Sequence, residues 1–240
     1  MAKVEPQLPP LIAIIGCDGS GKSTVSDELV TWVSRYAPAR SAHLGKQQGN
    51  TGRSLGRLPV VGGVFGRYIE SKAARVRKGR TVKRAPDTFP ALVMYAFTLR
   101  RVRRFQRMMK LRRRGVIVVA DRYPQLDIPS AFDGPDMDIE AAGNDFVRWL
   151  ARREYRAFKW MTSYVPDLVF RLSVDLDVAC ARKPDHKREA LARKMDFVPR
   201  FTLGGARIVD IDANQPLEQV VQAVRAAASE FLSERGYSPQ

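Results

Sequence analysis

The fold is decided by one stretch of sequence, Gly16-Cys17-Asp18-Gly19-Ser20-Gly21-Lys22-Ser23-Thr24, which fits the pattern G-x-x-x-x-G-K-[ST]. An apolar run at 11–15 precedes it, and a run with helical periodicity at 23–36 follows it. A strand, a glycine-rich turn and a helix in this order are the context that the pattern requires. Glycines let the backbone curl so that successive N–H groups face phosphate oxygens. The sequence therefore predicts a loop that binds the phosphates of ATP, with all nine residues as candidates.

Two side chains of this loop carry further predictions. Lys22 would reach the outer phosphates as a point charge. The helix that begins beside it would add the partial positive charge of its N-terminus. The hydroxyl of Ser23 is placed to ligate Mg²⁺. We therefore expect ATP and Mg²⁺ as ligands, Lys22 as a catalytic residue and Ser23 as a metal ligand.

Outward from this loop, short β-rich runs alternate with longer helical runs. This alternation predicts the α/β class: a three-layer P-loop NTPase fold, with a five-stranded parallel sheet and helices on both faces. The predicted strands are 11–15, 41–44, 116–120, 168–174 and 207–211, and the main predicted helices are 23–36, 67–78, 89–114, 139–164 and 216–232. We interpret residues 1–240 as a single domain with a flexible arm at 1–10 and a long insertion at 45–88.

The long helix at 89–114 shows an apolar repeat of three to four residues. This spacing places the repeated residues on one face of a helix, which we expect to pack inward. The residues predicted on that face are Leu92, Tyr95, Leu99, Val102, Phe105 and Met109.

The chain carries 41 Lys and Arg against 25 Asp and Glu, a formal net charge of +16. The excess is clustered, because 67–84 is strongly basic and 88–120 contains no acidic residue. Such blocks attract anionic partners, and nucleotides, nucleic acids, anionic lipid and acidic glycans all stay open. A solvated basic face of an enzyme is an equal alternative.

The cysteines and the hydropathy are the features of the sequence that indicate the cellular compartment of the protein. Cys17 and Cys180 show no metal-binding spacing, and two thiols make no disulfide framework. No stretch approaches the roughly 18 apolar residues of a membrane span, and no secretory signal precedes the loop. We expect a cytoplasmic protein with reduced thiols. The two histidines, His43 and His186, are expected to be structural or solvent-facing.

A second acidic residue follows the third predicted strand, in Ala120-Asp121-Arg122-Tyr123. A carboxylate at the carboxyl end of a strand beside the P-loop strand points into the ligand crevice. Asp121 would hold Mg²⁺ there, directly or through water. Arg122 would brace a phosphate with two donors. The alternative is an Asp that caps the next loop and an Arg that faces solvent.

At these two motifs the sequence resembles the thymidylate kinase family, a branch of the nucleoside monophosphate kinases. The loop resembles that family's loop, including the acid at Asp18, and Asp121-Arg122-Tyr123 resembles its Asp-Arg-Tyr. Weaker likenesses extend over most of the chain, at Arg100, at Ser130-Ala131-Phe132-Asp133-Gly134 and at Ile211-Asp212.

The resemblance implies an ATP-dependent kinase that moves the γ-phosphoryl group of ATP to a nucleoside monophosphate. It adds Asp18, Asp121 and Arg122 to the catalytic candidates. The residues that it assigns to binding of the acceptor are Arg100, Tyr123, Phe132 and Asp133. It also leaves a homodimer open.

Residues 182–193 correspond to the mobile lid over ATP in that family. Phosphoryl transfer spreads charge over equatorial oxygens, and a guanidinium fork meets two of them. Family members with Gly at the position of Gly19 take this arginine from the lid. Arg182 and Arg188 are therefore the candidates for a catalytic lid arginine. The alternative is a polar loop whose charge is incidental.

Two departures from the family concern the acceptor. His43-Leu44-Gly45-Lys46 stands where the family has an Arg-Glu-Pro-Gly-like turn, and a long loop follows. Phe132-Asp133 stands where the family usually has Tyr-Gln. An amide offers a donor and an acceptor to a pyrimidine edge, whereas an ionised Asp only accepts. We expect a thymidylate kinase-like protein with a different acceptor.

Other functions stay open at this stage. A kinase for another metabolite, such as a nucleoside, a sugar or a lipid precursor, fits the same loop. A GTPase would need an Asn-Lys-x-Asp motif, and no Asn-Lys pair occurs in the sequence. A non-catalytic NTP-binding protein or a nucleic-acid-binding protein is the alternative outside the enzymes, and the latter would lose affinity steeply with salt.

Overall fold

A five-stranded, fully parallel sheet organises the chain, in the strand order β2-β3-β1-β4-β5. The computed structural model describes residues 8–45, 85–128, 132–141 and 143–240. The strands are β1 (Leu11–Gly16), β2 (Ala39–His43), β3 (Ile117–Asp121), β4 (Leu168–Ser173) and β5 (Ile208–Asp212). The helices are α1 (Lys22–Val33), α2 (Thr88–Arg113), α3 (Asp145–Thr162), α4 (Leu176–Arg182), α5 (Arg188–Phe197) and α6 (Leu217–Glu234), with a 3-10 turn at Val198–Arg200.

Helices cover both faces of this sheet. Residues of β1 alternate between two apolar clusters, because successive strand side chains point to opposite faces. Ile12 and Ile14 pack with α1 and α6, whereas Leu11 and Ala13 pack with α2 and α3. Every residue of β1 is buried, as expected for the central strand of a parallel sheet. The predicted three-layer α/β fold is confirmed.

The largest error in element bounds is at α3, which was predicted from residue 139 and begins at Asp145. The side chain of Asn144 accepts a hydrogen bond from the backbone N–H of Val147 at 2.8 Å. Such a cap satisfies a donor that the first turn leaves free, and it marks the start of a helix. Residues 139–141 form turns and bends instead.

The predicted inward face of α2 is confirmed in part, because Phe105 and Met109 are buried as predicted and Tyr95 and Val102 are half-buried. Leu92 and Leu99 are exposed, and the residues buried along α2 include Met94, Thr98, Arg101, Phe105, Met108 and Arg112. The physical reason is that polar side chains on α2 find buried partners. Thr98 donates to Glu154 at 2.7 Å, and two arginines find acidic partners at 2.7 and 2.9 Å, Arg101 with Asp133 and Arg112 with Asp167. These buried polar contacts share the inward face of α2 with its apolar residues.

Several predicted segments lie outside the described residues. They are most of the arm at 1–10, most of the insertion at 45–88 and the whole predicted helix at 67–78. The end of the arm is described, and Arg112 Nε donates to the carbonyl of Pro9 at 2.8 Å. Among the described helices, none has the length and apolar character needed to cross a bilayer. Cys17 and Cys180 are both free thiols.

Candidate functional site

The predicted loop forms a tight turn at the carboxyl end of β1, directly before α1. Gly19 and Gly21 have φ of 89° and 85°, a left-handed region that favours glycine. A β-carbon on Gly19 would lie 3.0 Å from the carbonyl oxygen of Ala179 in α4. Gly19 is thus required by conformation and also by the close approach of α4. Hereafter the loop at 16–24 is called the cradle.

Lys22 lies inside the cradle, and only 7% of the residue is exposed. Its ammonium donates to the carbonyl of Cys17. Burial and the nearby charge of Arg122 lower the pKa of Lys22 to about 8, against the opposing pull of Asp18 and Asp121. Asp18 and Asp121 offset only part of the cost of burying this ammonium. Phosphate oxygens of a bound ligand would favour the charged form of Lys22, because they would place negative charge beside it.

Asp121 ends β3, the strand beside β1, and is paired in register with Ile14. Its Oδ2 accepts a hydrogen bond from Nδ1 of His43 at 2.8 Å. Its Oδ1 is buried and has no hydrogen-bond partner among the described residues. Burial alone would raise the pKa of this carboxyl, but His43, Lys22 and Arg122 hold it below its ordinary value. Asp121 is therefore a buried, ionised carboxylate with one oxygen to offer.

That oxygen suits a hard cation. The hydroxyl-bearing residue Ser23 is exposed in the first turn of α1. The described part of the chain holds no cluster of three or more His, Cys, Asp or Glu side chains fit for a metal. One carboxylate, one hydroxyl, phosphate oxygens and water are the usual Mg²⁺ shell in nucleotide sites, where an all-protein cage is not needed. Asp121 and Ser23 thus fit Mg²⁺ bound together with a nucleotide.

Arg122 is held over the cradle in a strained conformation. Its φ of 68° is left-handed, which costs on the order of 1 kcal/mol for a residue with a side chain. Its Nη2 donates to Asp18 Oδ1 at 3.1 Å. A β-carbon on Gly45 would lie 2.4 Å from Arg122 Cδ, so the glycine makes room for the stem of the arginine. Strain of this kind is typical of functional positions.

Asp18 gathers positive groups from three parts of the chain. Besides Arg122, its carboxylate accepts a hydrogen bond from the ammonium of Lys194 in α5, and Nε2 of His186 lies 3.8 Å from its Oδ2. Burial would raise the pKa of Asp18, but Lys194, Lys22 and Arg122 hold it far below its ordinary value. Asp18 is thus ionised and joins the cradle to α5.

The two predicted lid arginines differ in position. Arg182, at the end of α4, donates through Nη1 to the carbonyls of Gly19 at 3.3 Å and Ala213 at 3.0 Å. Arg188, at the start of α5, is exposed and pairs with Asp177 at 2.7 Å. The structure therefore places Arg182 against the cradle and Arg188 against the side of α4. Their catalytic roles stay predictions.

The residues predicted to bind the acceptor also differ in burial and in hydrogen bonding. Arg100 is exposed on α2. Tyr123 is buried, its hydroxyl donates to the carbonyl of Tyr164, and burial raises its pKa. Asp133 is buried and bound twice by Arg101, at 2.7 Å to its carbonyl and at 2.7 Å to its Oδ1. Phe132 has a φ of 42°. Residues 130 and 131 of the same predicted segment lie outside the described residues.

A small cavity brings three of these residues to the cradle. Its walls are formed by Ile15, Gly16, Arg122, Tyr123, Gln125, Phe132, Asp133, Phe201 and Leu203. The rings of Phe132 and Phe201 meet edge to face, with centroids 5.5 Å apart. This cavity is the candidate acceptor pocket.

Two relatives from Escherichia coli K12 align over nearly the whole chain. YghS, described as an uncharacterized ATP-binding protein, is 39% identical over 224 residues, which are 93% of this chain and 94% of YghS. YghR, described in the same words, is 34% identical over 223 residues, which are 92% of this chain and 88% of YghR. The chain belongs to the YghS/YghR family. No model of a known protein family matches it.

In this member of the YghS/YghR family, sequence reasoning missed three groups at the site. Lys194 lies one residue beyond the predicted lid. His43 was expected to be structural or solvent-facing, and its hydrogen bond to Asp121 was not predicted. Its place at the end of β2, beside the end of β3, is a signal that could have found it. Phe201 and Leu203 carry no motif, and only the folded chain brings them to the acceptor pocket.

Proposed function

We propose that this member of the YghS/YghR family is an ATP-dependent phosphotransferase with a thymidylate kinase-like design. It would move the γ-phosphoryl group of ATP to a small anionic acceptor, and a nucleoside monophosphate is the first class to test. The observation that carries the proposal is the Oδ1 of Asp121, which has no hydrogen-bond partner in the part of the chain that the structure describes, near the buried ammonium of Lys22. Both relatives are described as ATP-binding, in agreement with the cradle.

The chain's own residues would act by alignment and charge. Mg²⁺, held by Asp121 and Ser23, would neutralise charge on the phosphates. Lys22 would bind the outer phosphate oxygens, and Arg122 would brace the group in transfer. An acceptor oxygen bonds to the γ-phosphorus while the bond to the β–γ bridging oxygen breaks. The electron pair of that bond leaves with ADP, and a hydroxyl acceptor releases its proton to water.

The acceptor pocket favours an acceptor other than dTMP. In the resemblance, an amide at the position of Asp133 reads a pyrimidine edge. Here the carboxylate is buried, 9% exposed, and neutralised by Arg101. A carboxylate has no N–H to donate, and the Asp133 carboxylate is already bound by Arg101, so Asp133 cannot offer a pyrimidine the donor and acceptor pair of an amide. A kinase for a nucleoside, a sugar or a lipid precursor is therefore the second candidate.

Cytoplasmic location and assembly into a homodimer belong to the same proposal. A non-catalytic NTP-binding protein would need only the cradle. A nucleic-acid-binding protein would use the basic blocks, and its affinity would fall steeply with salt.

The decisive experiment is a screen for ADP release from Mg²⁺-ATP. The acceptors are dTMP, dUMP, CMP, nucleosides and sugars, each tested with the wild type and with Lys22→Ala, and the phosphorylated product is identified by mass spectrometry. The proposal expects one acceptor class to give product with the wild type and none with the variant. ATP binding that depends on Lys22, without ADP release for any acceptor, would identify a passive binder.

A further inference from the structure

We infer that Lys194 of α5, one residue beyond the predicted lid, is a cation that binds the γ-phosphoryl group, and that Asp18 holds it over the cradle before the nucleotide arrives. The inference rests on the proposed function and deepens it. Lys194 and Asp18 are 176 residues apart in sequence, and their side chains are joined by an ion pair.

The two predicted lid arginines are engaged elsewhere. The Arg182 guanidinium donates to two backbone carbonyls, of Gly19 and Ala213, which fixes α4 to the outside of the cradle. Arg188 is 57% exposed and pairs with Asp177 in α4 itself. The ammonium of Lys194, in contrast, pairs with the carboxylate of Asp18, which also pairs with Arg122. Of Arg182, Arg188 and Lys194, only Lys194 shares its carboxylate partner with Arg122, which follows β3.

The charge balance at the cradle leaves room for an anion. Lys22, Arg122 and Lys194 supply three positive charges, whereas Asp18 and Asp121 supply two negative ones. An ammonium has three N–H donors. Lys194 therefore keeps donors for a phosphate oxygen while it stays on Asp18. Its side chain is 38% exposed, so it also has space to move toward a ligand.

Two roles must be separated, because the same ion pair is also a mechanical link between α5 and the cradle. A link alone would affect every nucleotide equally. A contact with the γ-phosphoryl group would affect only ligands that carry one, and it would be strongest when charge develops in transfer. The comparison between a diphosphate and a triphosphate therefore distinguishes the roles without any acceptor.

The test uses Lys194→Gln, Lys194→Arg and the matched control Arg193→Gln. Arg193 is the neighbouring residue on α5, is exposed and carries the same charge. Calorimetry measures the binding of Mg²⁺-ADP and of Mg²⁺ with a non-hydrolysable ATP analogue. We expect Lys194→Gln to weaken the triphosphate by roughly tenfold, the low end for a hydrogen bond to a charged group. The diphosphate should change by less than about twofold, and so should both ligands with Arg193→Gln.

Kinetics with the best acceptor give the second readout. Lys194→Gln should lower kcat by roughly 10²–10³, the range for one lost transition-state donor, and Lys194→Arg should retain most of the rate. An equal loss for both nucleotides, or no loss for either, would refute the role of Lys194. If the wild type binds neither nucleotide, or binds them regardless of Lys22→Ala, the proposed function itself is wrong.

Discussion

Nucleotide binding above pH 8 should draw a proton from solution, because Lys22 must regain its charge. In the free protein, burial and Arg122 lower its pKa from 10.5 to about 8. The phosphates of a bound nucleotide replace the lost solvation and raise that pKa again. At pH 8.5 a group of pKa about 8 is roughly one quarter protonated, so binding should take up about 0.7 protons. At pH 7 the same group is about nine tenths protonated, and the uptake should be about 0.1.

Isothermal titration calorimetry measures this uptake directly. The binding enthalpy of Mg²⁺ with a non-hydrolysable ATP analogue is recorded at pH 8.5 in two buffers of different ionisation enthalpy, and its buffer dependence gives the proton count. Lys22→Met is the control, and we expect its uptake to be close to zero. The affinity of the wild type should also fall as pH rises through 8, since the proton becomes costlier to supply. A wild-type enthalpy that is independent of buffer at pH 8.5 would refute the reasoning.

Three further predictions concern the metal, the acceptor and the cradle. Asp121→Asn should slow phosphoryl transfer, because an amide attracts Mg²⁺ less than a carboxylate does. A higher Mg²⁺ concentration should partly restore the rate. A variant whose rate depends on Mg²⁺ in the same way as the wild type would show that Asp121 does not bind the metal. In the acceptor screen, dTMP should not be the preferred substrate, and efficient turnover with strong preference over dUMP would restore the plain thymidylate kinase assignment. Gly19→Ala should destabilise the protein by about 2 kcal/mol or more in thermal unfolding, since it adds a clash at 3.0 Å to left-handed strain. Gly205→Ala has φ of 83° and open space, so its cost should stay near 1 kcal/mol.

The fold was predictable because its signals are local. The cradle motif follows an apolar strand, and the neighbouring β3 is apolar from Ile117 to Ala120, as expected for a sheet covered on both faces. All five strands were predicted to within two residues of their observed bounds. The start of α3 was missed because Asn144 acts as the cap where the apolar pattern already begins. The cap at Asn144, and not the apolar pattern, thus determines where α3 begins.

The part of the inward face of α2 that was predicted wrongly, at Leu92 and Leu99, has a different reason. Periodicity assigns polar residues to solvent, yet Arg101 is only 3% exposed. Its partner Asp133 lies 32 residues further along the chain, in a loop with no regular pattern. A buried arginine is tolerated only with a partner that satisfies its charge, and such a partner is visible only in the folded chain.

In the candidate site, too, residues that belong to a sequence motif could be predicted, whereas residues that are placed only by contacts in the folded chain could not. Lys22, Asp121 and Arg122 were predicted from sequence because each belongs to a motif that lies at the end of a predicted strand. Lys194 belongs to none, and its place depends on a chain of contacts: α4 packs Ala179 on Gly19, and α5 follows α4 after a short turn. A methyl group on Gly19 would press on α4 and, through it, on the helix that carries Lys194. If this coupling holds, Gly19→Ala should weaken triphosphate binding more than diphosphate binding, in the same sense as Lys194→Gln. The two variants together should then lose less than the sum of their separate effects, because both act on one contact.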